Sequence, residues 1–592
     1  NSVAGNTVLG ESALDASVTG ESNTAIGKET LTTNTSGNNN TALGTISLQQ
    51  NSTGSRNSGL GRASLTNNTT GDDNTGAGYN SLVLNTTGSK NTAVGALALD
   101  ANTTADNNTA CGYGALSANT TGTSNAAFGY LAGSNSTTGN NNTSLGAQSL
   151  SVNTTGSQNV AVGRAALNAA TTANDNVAVG MNSMVANTTG HSNTAVGSQS
   201  LDANTTASNN TAIGTFALGA NTTGSNNTSV GRASLNTNTT GTNNAALGVN
   251  ALLSNTTGNK NVAVGVIALD ANTTGSYSVA VGYKALTSAT TASNNTALGY
   301  GALEGNTTAS NNTAVGMFAL SFTTTGANLT AVGKDALASN TTGGSSTAVG
   351  LSALYLNTTG EENVAVGRAA LGANTTGGFN IGVGKGALAA NTTASNNTAV
   401  GRLAMQNTTT GHSNTAVGYT ALSAHTTSND NVAVGYFAGG NITTGANNVC
   451  LGKDSAASSA TVDNEFVLGN TGTNNLRCND TSISSLSDSR DKTEVVDLPV
   501  GLSFINSIRP VKFKWASRDG NGNDGKIRAG FLAQELQTAS SDATYLNLVQ
   551  DDNPEKLSAK YGNLIPVLVQ AIKELSAKNT TLETKVATLE AA

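Results

Sequence analysis

One 17-residue unit recurs through most of this chain and limits what the chain can fold into. A glycine stands at Gly10 and at every seventeenth residue up to Gly469, which gives 28 units without an insertion or a deletion. Counted from Asn91 as position 1 and Gly95 as position 5, the consensus reads N-T-A-V-G-x-x-A-L-x-x-N-T-T-G-x-x. One unit cannot bury its apolar face alone, but stacked units can. The period therefore predicts a mainly β solenoid.

Alternation within each unit predicts a short β-strand. Thr92, Ala93 and Val94 hold positions 2 to 4, so positions 2 and 4 share one face of the strand and position 3 takes the other. We expect positions 2 and 4 to face an apolar core, and the alanine face to approach a neighbouring layer or chain. Leu99 at position 9 marks a second buried segment, which is compatible with either a strand or a single helical turn.

Asparagine at position 12, as at Asn102, predicts a ladder in which each amide bonds the next along the axis. The Asn-Thr-Thr segment also matches the pattern for N-glycosylation, and we favour the ladder because it explains the fixed position. Position 15 is usually glycine, but Ala105 and Ala173 replace it. That position therefore needs a small residue rather than a positive φ.

The repeat has a lean core, because each layer supplies one valine-type and one leucine-type side chain and aromatic residues make up only 4% of the chain. We expect several chains to wrap together and share this core. At about 4.8 Å per layer, 28 layers predict a uniform rod of roughly 130 Å.

Composition changes abruptly after the repeats. All four prolines, the single Trp515 and 27 of the 61 charged residues lie in residues 488–592. We therefore predict a shaft over residues 1–469, a linker over 470–486 and a small α+β domain over 487–592. The sequence opens inside a repeat, so we expect a preceding region that attaches it to a larger particle or to a cell.

Charge and hydropathy argue against two classes of partner. The net charge of −7 is spread thinly, and we find neither a basic stripe nor aromatic residues alternating with arginine, so we expect no nucleic-acid binding. No apolar run approaches 18 residues, so we expect no membrane-spanning segment.

Cysteine and histidine usage predicts neither a metal site nor a cofactor. Cys111 at position 4 and Cys450 at position 3 are interpreted as small core residues, and Cys478 as a free thiol of the linker. Three cysteines are too few for a disulfide framework. The three histidines stand in separate units: His191, His412 and His425.

The strand segment resembles two known repeats. Asn followed by Thr/Val-Ala-Val-Gly is similar to the Asn-Ser-Val-Ala-Ile-Gly repeat of trimeric adhesin head domains, and more similar to the repeats of many phage tail fibres. The resemblance implies a trimeric parallel β-roll and says little about a ligand.

The tail resembles the endosialidase-type C-terminal intramolecular chaperone of phage tail spikes and fibres. Four blocks occur in the same order: SDSRDK from Ser487, VVDLPVGLSFINSIRPVKFKW ending at Trp515, GFLAQEL from Gly530 and YGNLIPVLVQAIKEL from Tyr561. Members of that family trimerise, template the folding of the fibre ahead of them and then cut themselves off.

For this chain the resemblance implies a Ser–Lys dyad, with Ser487 as the nucleophile, Lys492 as the general base and cleavage at the Ser487–Asp488 junction. A serine hydroxyl needs a nearby base, and a lysine can serve when burial or a neighbouring cation such as Arg490 lowers its pKa. The alternative is a solvated charged turn. The block at Ala533–Glu535 is interpreted as structural.

The C-terminal end of the chain carries a heptad pattern, which predicts a parallel coiled coil over about 563–590. Position a is held by Ile565, Ile572, Asn579 and Val586, and position d by Leu568, Leu575, Leu582 and Leu589. β-Branched a residues with leucine at d favour two strands in simple peptides. The family resemblance implies three, and we expect a homotrimer because the preceding domain and roll set the number.

These features favour a virion tail fibre or spike shaft that meets a receptor or glycan on a host surface. The alternative is a cell-surface adhesin or an extracellular filament built on the same roll. Ice binding is disfavoured, because adjacent threonines such as Thr103 and Thr104 should point in opposite directions. The scattered acids also disfavour a sugar-cleaving site in the shaft.

Overall fold

The computed structural model describes residues 4–16, 18–473, 477, 487–516, 525–551, 555 and 557–592. It divides into two units, residues 1–361 and 362–592. Most of the predicted linker, with Cys478, lies outside the described residues.

The first unit is a parallel β-solenoid with one three-residue strand in each layer. Each strand pairs in parallel with the next, and equivalent positions are partners, as between Val262 and Val279. The strands are β1 Thr7–Leu9, β2 Thr24–Ile26, β3 Thr41–Leu43, β4 Ser58–Leu60, β5 Thr75–Ala77, β6 Thr92–Val94, β7 Thr109–Cys111, β8 Ala126–Phe128, β9 Thr143–Leu145, β10 Val160–Val162, β11 Val177–Val179, β12 Thr194–Val196, β13 Thr211–Ile213, β14 Thr228–Val230, β15 Ala245–Leu247, β16 Val262–Val264, β17 Val279–Val281, β18 Thr296–Leu298, β19 Thr313–Val315, β20 Thr330–Val332 and β21 Thr347–Val349.

The second unit begins with seven layers of the same solenoid. Their strands are β22 Val364–Val366, β23 Ile381–Val383, β24 Thr398–Val400, β25 Thr415–Val417, β26 Val432–Val434, β27 Val449–Leu451 and β28 Phe466–Leu468. Consecutive strands again pair in parallel and in register, as between Val432 and Val449. The predicted mainly β solenoid is therefore confirmed.

The strands face the opposite way from the sequence expectation. Ala93 at position 3 is fully buried, whereas Val94 at position 4 is 41% exposed, so the alanine face forms the core and the valine face points outward. The interior explains the reversal. At Gly382, another position-3 residue, an added Cβ would lie 3.2 Å from Cγ of Leu371, so the interior has room only for small side chains at this position. Each chain therefore closes its own core.

The second segment of the unit is neither a strand nor a helical turn. Leu97 and Leu99 have φ of 59° and 51°, so residues of positive φ alternate with residues whose φ is not positive. Their amides donate in opposite directions along the axis: Leu97 to the carbonyl of Tyr79 at 2.9 Å and Leu99 to the carbonyl of Ala115 at 3.0 Å. The backbone strain of this alternation is offset by the inter-layer hydrogen bonds, and Leu99 fills the core, fully buried.

The predicted asparagine ladder at position 12 is confirmed. Nδ2 of Asn85 donates to Oδ1 of Asn68 at 2.7 Å, and Nδ2 of Asn102 donates to Oδ1 of Asn85 at 2.7 Å. A second ladder at position 1 was not predicted: the backbone amide of Asn91 donates to Oδ1 of Asn74 at 3.0 Å. These side chains are fully buried, and their amide nitrogens form hydrogen bonds inside the solenoid. Buried polar side chains are tolerated here because most of them are hydrogen-bonded, although Oδ1 of Asn119 and of Asn153 has no partner among the described residues.

Glycine is common at positions 5 and 15 of the unit for different reasons. At position 5 the backbone requires glycine, because Gly265 has φ of 133° and an added Cβ would lie 2.5 Å from the carbonyl oxygen of Gly282. At position 15 φ is not positive, and the substituted Ala105 is 1% exposed. The prediction that position 15 does not need a positive φ is confirmed, but the need for a small residue is not general, because Val462 holds this position and is 8% exposed.

The two cysteines among the described residues differ. Cys450 is fully buried, as predicted, and burial together with nearby Glu465 raises the pKa of its thiol to about 11. Cys111 is exposed on the outward face of β7, so its interpretation as a core residue was wrong. The reversed strand orientation explains both results.

His425 interrupts the position-12 ladder. It is fully buried, and its Nδ1 lies 2.9 Å from the hydroxyl of Thr408. Its Nε2 has no hydrogen-bond partner among the described residues. Burial lowers the pKa of this imidazole to about 4, so the folded chain holds His425 neutral.

We expect His425→Asn to remove part of the acid sensitivity of the fold. Since the folded pKa is depressed, the unfolded chain takes up the proton first, and stability is lost as pH falls from about 6.5 to about 4. The loss is about 3 kcal/mol per chain. Urea unfolding at pH 7 and pH 4.5 should show a smaller drop for His425→Asn than for wild type. The exposed-site control His191→Asn should behave as wild type, and an unchanged drop in His425→Asn would contradict this assignment.

A small α+β domain occupies the end of the chain. Its helices are α1 Leu502–Ser507, α2 Ala533–Ala539 and α3 Ile565–Glu590, and short 3₁₀ helices cover Ser489–Asp491, Thr544–Leu546 and Tyr561–Leu564. Two antiparallel pairs join β29 Val511–Phe513 to β30 Arg528–Gly530 and β31 Val549–Gln550 to β32 Ser558–Ala559. Its core contains Phe504, Ala543, Leu546, Leu548, Leu564 and Val567.

Candidate self-cleavage site and assembly surfaces

Ser487 and Lys492 lie together at the start of the small domain. The 3₁₀ helix Ser489–Asp491 turns the chain back on itself, and Nζ of Lys492 donates to Oγ of Ser487 at 2.6 Å. The spacing of five residues is therefore bridged by one turn. A serine hydroxyl in direct contact with an amine is the arrangement that nucleophilic catalysis needs.

Asp488 and Arg490 hold this turn. Oδ1 of Asp488 caps the 3₁₀ helix by accepting from the backbone amide of Arg490 at 2.9 Å. The Arg490 guanidinium also pairs with this carboxylate, and that hydrogen bond lowers the pKa of Asp488. Asp488 therefore balances the charge of Arg490.

The dyad is open on one side. Ser487 and Lys492 are exposed, and the following Val495 and Val496 are 76% and 83% exposed. Within the described residues of one chain, no second wall covers the hydroxyl. The two adjacent exposed valines, which follow the dyad in sequence, provide an apolar surface that another chain can cover.

The GFLAQEL block packs within the small domain. It supplies the end of β30 and most of α2, where Leu536 is 1% exposed. Glu535 forms a salt bridge with Arg509, which lies just before β29, and this pair lowers the pKa of the Glu535 carboxyl. The block thus ties α2 to the segment that follows α1.

Helix α3 presents one face to the small domain and leaves the heptad face uncovered. Val567 and Ala571 are buried, and Oε2 of Glu574 accepts from the amide of Leu502 at 2.9 Å. The heptad residues lie on another face, with Ile572 66% and Leu575 56% exposed. The helix begins at Ile565, and the two preceding residues of the predicted coil belong to a 3₁₀ helix.

The position-4 residues form a second uncovered apolar surface, which we call the outer stripe. All 28 residues from Leu9 to Leu468 at this position are apolar, the smallest being Ala77. In the first unit Leu247 is 50% exposed, and in the second Val434 is 41% exposed. Within each of the two units, a row of apolar residues of this kind is unusual on a solvent-facing surface.

Position 6 forms a third surface, which we call the basic column. Nine of the 13 lysines and arginines in residues 1–469 stand there: Lys28, Arg62, Arg164, Arg232, Lys334, Arg368, Lys385, Arg402 and Lys453. Seven tyrosines share the position, and Glu11 is its one acid. Sequence reasoning missed this column because the cations are 17 or more residues apart. Sorting residues by position in the unit would have found it.

The structure places the three histidines in different layers. Among the described residues, no group of three histidine, cysteine, aspartate or glutamate side chains is arranged to hold a metal ion. In that same part of the chain, no helix has the length and apolar character needed to cross a bilayer.

Comparison with known families adds one match. The family model Peptidase_S74, described as chaperone of endosialidase, matches residues 487–545, which include the first three of the four tail blocks. No curated protein and no solved structure matches the chain. The matched segment begins at Ser487 itself, so the tail that carries the dyad is similar to the chaperone of endosialidase.

Proposed function

We propose that this chain is the shaft of a homotrimeric fibre, assembled by its C-terminal domain, which then cuts itself off. The outer stripe carries the proposal. A solenoid with a complete core of its own has no folding need for 28 apolar residues on its outside. A second and third copy supply the partner, because each copy brings the same stripe at the same spacing.

The uncovered face of α3 supports the same assembly. A parallel coiled coil aligns identical chains at one end, and the stripes can then pair layer by layer. Alignment matters because near-identical layers can pair out of register by one unit at little local cost. A C-terminal clamp sets the register once, before the slow search for long-range contacts. The similarity of the tail to the chaperone of endosialidase supports three as the number of copies.

The contact between Lys492 and Ser487 supports self-cleavage at Ser487–Asp488. In its neutral form, the Lys492 amine, with Nζ 2.6 Å from the hydroxyl, accepts the hydroxyl proton as Oγ attacks a carbonyl carbon. The tetrahedral intermediate collapses, the C–N bond to Asp488 breaks, and the leaving amine takes the proton from Lys492. Water then hydrolyses the ester, which restores the Ser487 hydroxyl and leaves a free carboxylate.

The carbonyl that is attacked belongs to another copy. Oγ of Ser487 is joined to its own carbonyl carbon through only Cβ and Cα, so attack within one residue would close a four-membered ring. That ring prevents the approach geometry that acyl transfer needs. In a parallel assembly in register, the Ser487–Asp488 junctions of the copies meet at one level. Cleavage therefore waits for assembly, and the open side of the dyad is where the second chain enters.

A virion tail fibre or spike that contacts a host-surface receptor is the role we propose for the assembled shaft, joined to the particle through a preceding region. The self-removing chaperone supports it, since cleavage leaves a shaft that cannot unfold by reversing its assembly path. A cell-surface adhesin or an extracellular filament is the second candidate, which the solenoid alone supports equally.

Two measurements on the recombinant protein test this proposal. Sedimentation equilibrium should give three copies, and intact mass should show a released fragment of about 105 residues, Asp488–Ala592. A monomer at micromolar concentration would overturn the assembly. A trimer that stays uncut would be compatible with the chaperone role but would overturn the proposed self-cleavage.

A further inference from the structure

The basic column runs through six consecutive layers of the second unit. Arg368, Lys385, Arg402, Tyr419, Tyr436 and Lys453 occupy position 6 in turn, and all six are exposed. Neighbouring layers are about 4.8 Å apart, so cations in adjacent layers repel each other. Among the described residues, Arg368, Lys385 and Arg402 form no salt bridge, and Lys453 approaches Asp454 at 3.7 Å. The fold has no need of this repulsion, so a ligand is the better explanation.

We propose that this column binds a linear acidic polysaccharide along the fibre axis. The proposal deepens the proposed function and rests on it, because it names the class of glycan that the shaft meets. Four cations without an acid at the same position attract a polyanion. A ligand that repeats its charges along its length matches a column that repeats its cations layer by layer, and many weak contacts then add up.

The packing of the tyrosine rings favours a sugar polymer over a nucleic acid as the ligand. The rings of Tyr419 and Tyr436 stack on each other, with centroids 5.3 Å apart and planes 13° apart. Arg402 covers the outer face of Tyr419 at 5.6 Å, and Lys453 covers that of Tyr436 at 5.8 Å. The ring faces are therefore occupied, and no platform is left for a nucleobase. Ring edges and phenol hydroxyls remain for the carboxylates and hydroxyls of a sugar chain.

The column stays accessible in the proposed trimer. Burying several like charges from three copies against one another would cost more than any apolar contact returns. The outer stripe, two residues earlier in each unit, supplies the apolar contact. The column therefore lies at the rim of the interface, where a ligand can reach it.

The test compares full-length wild type with Arg368→Gln/Lys385→Gln/Arg402→Gln. The control, Arg56→Gln/Lys90→Gln/Lys260→Gln, removes the three shaft cations at position 17, so both variants lose the same charge. The probes are fluorescent polygalacturonate, neutral dextran and single-stranded oligothymidylate, measured by anisotropy at two salt concentrations. Wild type should bind polygalacturonate in a salt-sensitive manner and not dextran.

The column variant should bind polygalacturonate about tenfold more weakly, since each exposed ion pair contributes a few-fold. The control should stay within about twofold of wild type. Absence of polygalacturonate binding, an equal loss in the control, or tighter binding of oligothymidylate would overturn the proposal. Loss of the trimer in the column variant would overturn it too, because the cations would then be contacts between copies. Sedimentation and intact mass of the same samples report separately on the proposed function.

Discussion

Ser487→Ala should leave the whole 58.6 kDa chain uncut while the protein still assembles. The side chain is exposed, so its loss removes no core volume. Removing the nucleophile of a dyad lowers the rate by at least about 10⁴-fold. Lys492→Ala should have the same effect, because no other base contacts the hydroxyl among the described residues. Intact mass after purification checks both variants, and Ser489→Ala, two residues away, is the matched control.

Mixed assemblies test which chain is cut. A tagged Ser487→Ala chain, co-expressed with wild type, should be cleaved just before its Asp488 by Ser487 of a neighbouring wild-type copy. If wild-type chains are cut and the tagged chains never are, the reaction occurs within one chain. The new N-terminus would then be Ser487 rather than Asp488, since the hydroxyl can reach the preceding carbonyl through a five-membered ring. The two fragments differ by one serine in mass.

Leu575→Asp/Leu582→Asp should abolish both the trimer and the cleavage. Both leucines lie at d positions of α3 and are more than half exposed in the single chain, so the folded domain loses little. In the coiled coil, each substitution would bring several carboxylates into an apolar layer, at an expected cost of several kcal/mol. Sedimentation and intact mass should report a monomeric, uncut chain.

The control variant carries two aspartates at the same spacing but on a different face of α3. Ala577→Asp/Thr584→Asp places the same two charges seven residues apart, outside the heptad a and d positions. It should assemble and cut as wild type does. A monomeric Leu575→Asp/Leu582→Asp protein that still cuts at the wild-type rate would show that assembly does not control the reaction.

The unbroken 17-residue period determined the solenoid, its in-register layers and the ladder at Asn102, because a repeated local pattern needs no distant information. The resemblance of the tail to a known family also identified Ser487 and Lys492 as candidate residues. A single turn of the chain brings their side chains together. The heptads of α3 were visible for the same local reason.

Only the tertiary structure decided which face of each strand is the core. Alternation shows that Val94 and Ala93 point in opposite directions, but the width of a closed 17-residue turn decides that alanine goes inside. That width also placed Cys111 outside, Cys450 inside and His425 in a buried gap of the ladder. The basic column likewise needed the fold, since Arg402 and Tyr419 are 17 residues apart in sequence and become neighbours only when the layers stack.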